Sequence, residues 1–233
     1  MDLSIREALD LLDVSEDELY RLVQRGMVPA YRMDGRIWFN RIELMEWALQ
    51  KGYRVRYQVF GPQTSQSSQK DDLLSSALAR GGVHDKLPGQ ERTAVLREVV
   101  ARLQVPANVD RELVLDLLLS REALCSTGMG GGIALPHPRN PLVLGIQDPV
   151  VMVAYLEKPI PFGAPDSQPV HILLPLFSPT VHIHLQLLSR IAFLLHDAEL
   201  RALLDQHASA TDLFPCVCAL EAKLAASAPT AHR

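Results

Sequence analysis

Three consecutive glycines, Gly130 to Gly132, run directly into Ile133-Ala134-Leu135 and then Pro136-His137-Pro138. No other stretch restricts this chain so tightly. Glycines accept backbone angles with φ above zero and let the chain pass close to another group. The apolar triplet predicts a short strand. Proline fixes its own φ and pushes the residue before it toward extended angles, so two prolines hold one histidine from both sides. The pattern predicts a tight turn, a short strand, and one imidazole presented at the strand end, with Arg121 upstream as a cation. That suits a nucleophile more than a core residue.

Read from its arginine, the stretch runs Arg121, Glu122, Leu124, Ser126, Thr127, Gly128, Gly130, Gly132, Ile133, Ala134, Leu135, Pro136, His137. This resembles the active-site region of enzyme IIA domains of the bacterial sugar phosphotransferase system, of the fructose/mannitol/nitrogen-regulatory type. The chain departs from that pattern at Cys125, where glycine is usual, at the extra glycine Gly131, and at Pro138. None of the three removes a group with chemistry.

The resemblance covers roughly residues 72–225. It implies that His137 accepts a phosphoryl group from phosphorylated HPr, with no cofactor. The group then passes to a IIB domain or, in regulatory members, serves as a signal to a target protein. Such a domain is a carrier with a phosphohistidine intermediate, not a hydrolase. Arg121 matches the family arginine near the active histidine. Ser126, Thr127 and Gly128 are the implied phosphate-binding residues. The run from His184 to Ser189 resembles the family helix that supplies a second active-site histidine, here His184. The chemistry agrees: a neutral imidazole is nucleophilic near neutral pH, and a transferring phosphoryl group needs positioning and charge stabilisation above all.

The remaining histidines carry weaker signals. His182 and His184 form an H-x-H pair. On a helix, side chains two apart point to nearly opposite sides, since each residue advances by about 100°. No metal is therefore expected. His171 lies in an apolar strand run and reads as a core or edge histidine, and His84, His196, His207 and His232 as surface or terminal residues. Cys125 reads as a small packed residue, because no G-x-S-x-G elbow surrounds its neighbour Ser126. The glycine run is not a phosphate-binding P-loop, because no Lys-Ser/Thr follows it.

With 233 residues, 48% of them hydrophobic and 21% charged, the chain can bury one large core or two modest ones. A net charge of −4 gives no overall basic surface. Three cysteines, Cys125, Cys216 and Cys218, suit a reducing compartment better than a disulfide framework. Asp2, Arg6, Glu7 and Asp10 interrupt the N-terminal apolar residues, unlike a signal peptide. No apolar run approaches the roughly 20 residues of a spanning helix. The expectation is a cytoplasmic protein without membrane insertion.

Residues 1–60 predict a helix over 3–12 capped by Ser4, and a second capped by Ser15 and ended by Gly26. A hairpin of strands 30–33 and 36–39 around Asp34-Gly35 follows, then a third helix capped by Asn40. The order resembles winged helix-turn-helix modules of the excisionase and MerR-like group, on Ser4-Ile5-Arg6-Glu7-Ala8, Val14-Ser15, residues 19–23, residues 26–32, Gly35-Arg36, and Glu43-Leu44 with Trp47. Bases and acids are nearly balanced here. Arg21, Arg25, Arg32 and Arg36 can form a local DNA-binding face, but Glu16, Asp17 and Glu18 crowd the start of the second helix, where phosphates would repel them. A docking or dimerising role is the competing expectation.

Residues 61–70 read as a flexible linker rich in Gln and Ser. Residues 71–226 predict the IIA domain: helices near 71–79, 90–103, 185–195, 198–206 and 210–224, and one capped by Asp110 with Leu113, Val114, Leu117 and Leu118 inward. A strand is expected at 83–87, and near-continuous apolar runs at 149–156 and 170–177 suit strands covered on both faces. The fold class is α/β: a mixed, mostly buried sheet flanked by helices, preceded by the small winged helix-turn-helix domain. The functional expectation is a nitrogen-regulatory type IIA-like protein that couples phosphorylation to DNA binding and transcription regulation. The alternatives are a sugar-uptake component whose N-terminal module only docks, and a degenerate regulator that takes no phosphate.

Overall fold

The computed structural model describes residues 2–33, 35–51, 53, 55, 72–104, 109–140 and 145–227. The chain divides into two compact units, Met1–Gln66 and Ser67–Arg233. The proposed linker 61–70, Asp34, Gly52 and His232 lie outside the described residues.

The N-terminal unit begins with strand β1 (Asp2–Ser4), which leads into helix α1 (Ile5–Leu11). Leu3 was expected in the helix; it pairs instead with Phe39 of a strand further on. The helix cannot start earlier because Ser4 and Glu7 form a reciprocal capping box, Ser4 oxygen taking the Glu7 N–H and Glu7 the Ser4 N–H. Helix α2 (Glu16–Gln24) is capped by Ser15 and closed by Gly26 at φ 63°. Strands β2 (Tyr31–Met33) and β3 (Arg36–Asn40) form the hairpin, and β1 adds to β3 to give the sheet order β1-β3-β2. Asn40 ends β3 and caps α3 (Arg41–Gln50) through the N–H groups of Ile42 and Glu43. The indole N–H of Trp47 donates to the Met27 carbonyl at 2.6 Å, tying α3 to the end of α2. Leu3, Ala8, Leu11, Leu19, Phe39, Leu44, Met45 and Ala48 fill a small core.

The C-terminal unit is built on one mixed sheet of five strands. Its strands are β4 (Val83–Leu87), β5 (Gly128–Gly130), β6 (Ile133–Ala134), β8 (Val153–Ile160) and β9 (Val170–Leu173), in the order β4-β8-β9-β6-β5. The pairs β4-β8 and β6-β9 are parallel, β8-β9 and β5-β6 antiparallel. The two apolar runs each divide. β7 (Val150–Val151) separates from β8 and pairs with β10 (Leu176–Phe177), which separates from β9 around Pro175. Proline has no N–H to continue a ladder.

Helices α5 (Arg92–Arg102) and α6 (Arg111–Leu124) pack a core of Val95, Leu96, Val99, Val114, Leu118, Ala154, Leu156 and Leu173. Along α6 the buried residues are Val114, Leu115, Leu118, Arg121 and Glu122, whereas Leu113, expected inside, is 44% exposed. Val114 and Leu118 lie inside as expected and Leu117 packs at the edge of the core, so only Leu113 is misplaced, with Leu115 inside instead. Leu74, Leu78, Val153, Leu174, Ile191 and Leu204 line a second apolar seam, around a cavity of about 40 Å³. Its helices are α4 (Leu73–Gly81), α7 (Val181–Leu194), α8 (Ala198–Asp205) and α9 (Ala210–Ser227). The helix α7 starts at residue 181, not 185, because Thr180 caps it through Ile183.

One buried ion pair ties three of these helices. Glu221 of α9 takes the N–H groups of Leu74 (2.7 Å) and Ser75 (2.8 Å) at the start of α4, and the Arg190 guanidinium of α7 at 2.6 Å. The side chains of Arg190 and Glu221 are 6% and 2% exposed. Replacing Glu221 by Ala removes the carboxylate that a buried cation and two helix N–H groups share. A loss of about 3–5 kcal/mol is expected, read as a lowered urea midpoint for the C-terminal unit.

Candidate functional site

The motif folds back on itself so that its two ends lie side by side. Thr127 follows the end of α6, and its carbonyl takes the Leu135 N–H at 3.0 Å. Gly128 pairs with Ala134 across β5 and β6. The chain then leaves β6 through Leu135 and Pro136 to His137.

The His137 ring is held by its own backbone. Its Nδ1 lies 2.6 Å from the Leu135 carbonyl. A carbonyl only accepts, so Nδ1 carries the proton and donates. In the neutral ring this leaves the lone pair on Nε2. The His184 ring stands 5.1 Å from that of His137, centroid to centroid, tilted by 57°. His184 lies on α7, two residues past exposed His182, and is fully buried. Its Nδ1 shares a 3.1 Å hydrogen bond with the Ser178 hydroxyl, itself buried. The sequence leads one to expect an imidazole open at a strand end. The ring is instead 3% exposed, hydrogen-bonded to the Leu135 carbonyl and set against the second histidine.

The other motif residues shape the loop. Arg121 is buried and donates to the Cys125 carbonyl at 2.7 Å, closing the end of α6. Ser126 Oγ donates to the Phe162 carbonyl at 2.6 Å and accepts the Gly128 N–H at 3.0 Å. Thr127 donates both its hydroxyl and its N–H to Glu122. Cys125, expected to be packed, is exposed. Its extended backbone ends the helix and turns the thiol outward.

Glu122 is the residue that sequence reasoning left without a role. Its carboxylate is buried and receives Thr127, with Arg92 Nη1 at 3.9 Å. Arg92 also donates to the Phe162 carbonyl at 2.5 Å and lies over the Phe162 ring. Burial pushes the Glu122 pKa up, against the hydrogen bonds from Thr127 and the charges of Arg92 and Arg121. Ser178 was also missed; only its place just before the cap of α7 hinted at it.

Elsewhere, His171 is half-buried on β9, with Nε2 3.7 Å from Asp205. His207 stacks on Tyr155 at 4.4 Å. Asp197, Glu199 and Cys216 bring potential metal-ligand atoms within 4.8 Å of one another, though Asp197 already caps α8. In the N-terminal unit Arg21, Arg25, Arg32 and Arg36 are all exposed, as are Glu16 and Asp17.

A mixed sheet between helix layers, with two histidines meeting past the strand that follows a glycine turn, defines a class. The sequence pattern of the family described as phosphoenolpyruvate-dependent sugar phosphotransferase system, EIIA 2, matches residues 80–217, and the chain belongs to that family. A helix-turn-helix domain pattern matches residues 3–52. The nitrogen regulatory protein of Pseudomonas aeruginosa is 36% identical over 149 residues, covering 62% of this chain and 94% of that protein. That of Escherichia coli K12 is 35% identical over 127 residues, covering 53% and 76%. The crystal structure of nitrogen regulatory protein IIA-Ntr from Neisseria meningitidis superposes with a TM-score of 0.55 at 27% identity, covering 62% of this chain and 99% of that one. Among the described residues, no helix is long and apolar enough to cross a membrane.

The raised pKa of Glu122 has a defined sign. Between the ordinary carboxylate value and the raised one, the folded protein keeps a proton that the unfolded chain releases. Stability therefore falls as pH rises through that window, and levels off above it. In Glu122→Gln this component of the decline disappears, as urea midpoints taken from about pH 4 to 8 will show.

Proposed function

We propose that this chain is a regulatory phosphoryl carrier of the cytoplasm, in which His137 accepts a phosphoryl group from phosphorylated HPr. The observation that carries the reading is the hydrogen bond from His137 Nδ1 to the Leu135 carbonyl. It keeps the proton on one nitrogen and the lone pair on the other. Nε2 attacks phosphorus, the bond to the donor breaks, and the Nδ1 proton stays where it is. His184 orients the transferring group, supported by Ser178. Arg121 supplies positive charge, while Ser126, Thr127 and Gly128, whose donors go to Phe162, Glu122 and Ser126, hold the loop in shape. The phosphohistidine then passes the group to a IIB domain or acts as a signal. Because the His137 ring is buried, transfer requires a conformation in which Nε2 meets the donor.

The relatives named nitrogen regulatory protein favour the signalling role over sugar uptake. The N-terminal module is its output. Phosphorylation adds charge to the acceptor and changes what that module binds, with DNA the favoured ligand through Arg21, Arg25, Arg32 and Arg36. The exposed acids Glu16 and Asp17 at the start of α2 support the competing reading, a docking or dimerising module.

Incubation with enzyme I, HPr and labelled phosphoenolpyruvate tests the carrier. Wild type takes the label, His182→Ala keeps it, and His137→Ala loses it. An unlabelled wild type would point to a degenerate regulator. A mobility-shift titration tests the output. DNA binding is expected to weaken with salt, and removing one phosphate-contacting arginine reduces the salt slope by roughly 1. No salt-sensitive shift with any duplex would favour docking.

A further inference from the structure

The turn that delivers His137 is made of three glycines at positive φ: 90° at Gly130, 56° at Gly131 and 76° at Gly132. Glycine has the widest conformational choice of any residue, so this turn does not hold itself. The ladder on its β5 side is irregular. Pairing of β5 with β6 slips between Gly128 and Gly130, and β6 is two residues long. From Gly132 on, β9 and Thr127 hold the path, since the His171, Ile172 and Leu174 N–H groups reach the Gly132 and Ala134 carbonyls and Thr127 takes the Leu135 N–H; what is left to fix is the turn at Gly130 and Gly131 from which β6 starts.

Two charged side chains from outside the motif take hold of Gly131. Asp166, in the loop after β8, accepts the Gly131 N–H at 2.7 Å. Arg201, on α8, donates through Nη2 to the Gly131 carbonyl at 2.9 Å. The two peptide groups that meet at Gly131 are thus each held by an ionised partner, the stronger kind of hydrogen bond. The Asp166 carboxylate is itself aimed, since its other oxygen takes the Gln168 N–H at 3.1 Å. The N–H groups of Gly131 and then Gln168 hold its pKa below the ordinary value. The Arg201 guanidinium lies 3.9 Å from Asp205, which faces His171. A methyl on Gly131 would stand 2.6 Å from Arg201 Nη2, and one on Gly132 would overlap the His171 ring.

Neither side chain belongs to the core: Asp166 is exposed and Arg201 half-buried. We infer that Asp166 and Arg201 are positioning residues, a clamp on Gly131 that sets the turn from which β6 carries the chain to the His137 ring. The inference rests on the reading of His137 as phosphoryl acceptor.

The test uses the full chain and four variants. In Asp166→Ala and Arg201→Met, kcat for acceptance from phosphorylated HPr falls about tenfold, the order expected when a reacting group is misplaced by a fraction of an ångström. KM for the donor and the urea midpoint stay at wild-type values. Asp166→Asn, which keeps an acceptor oxygen, and Arg201→Lys, which keeps a donor, recover most of the rate. Wild-type kcat in both truncations, or a loss that tracks falling stability without rescue, would overturn the clamp. A second arm needs no phosphate. Amide exchange at Gly131 accelerates in Asp166→Ala, and the His137 ring resonances shift; an unchanged ring spectrum would also overturn it. If wild type takes no phosphate, the acceptor reading fails, and the exchange and ring spectra alone decide the clamp.

Discussion

The hydrogen bond between His137 Nδ1 and the Leu135 carbonyl, 2.6 Å long, decides which ring nitrogen keeps the proton. It joins a side chain to a backbone group two residues earlier, so it is only as well placed as the backbone itself. Leu135 is placed in turn by Thr127, whose carbonyl takes its N–H, and Thr127 by the buried carboxylate of Glu122. Hydrogen bonds between successive residues thus run from the end of α6 to the imidazole.

The chain of contacts explains why hydroxyls in the motif face inward. Ser126 ties the loop to Phe162 and Gly128, and Thr127 ties it to Glu122. Thr127 is buried, and a buried N–H without a ladder partner or water needs such a bond. Arg92 touches both ends, reaching the Phe162 carbonyl and the Glu122 carboxylate. The cost is a carboxylate buried at a pKa above its ordinary value.

Much of this was legible in the residues. Helix starts were readable because Ser15, Asn40 and Asp110 accept N–H groups within three residues, a purely local interaction. The pairing of His137 with His184 was readable only through resemblance, since 47 positions separate them in the sequence. What stayed hidden depended on distant partners. Leu3 joins a strand because Phe39 lies beside it, and Glu221 matters because α4 begins against it. Asp166 and Arg201 are ordinary surface charges until the fold brings Gly131 between them. The burial of His137 was likewise invisible, since two flanking prolines say how a backbone bends and nothing about what covers the ring.

The helix-turn-helix unit and the IIA unit each carry a core of their own, and the proposed carrier role rests on one histidine. Ring-nitrogen NMR of the phosphorylated chain, with histidine labelled by ¹⁵N, tests that role directly. The account predicts a phosphoryl group on Nε2 of His137, with Nδ1 still protonated toward the Leu135 carbonyl. Phosphate on Nδ1, or on a histidine other than His137, would contradict it.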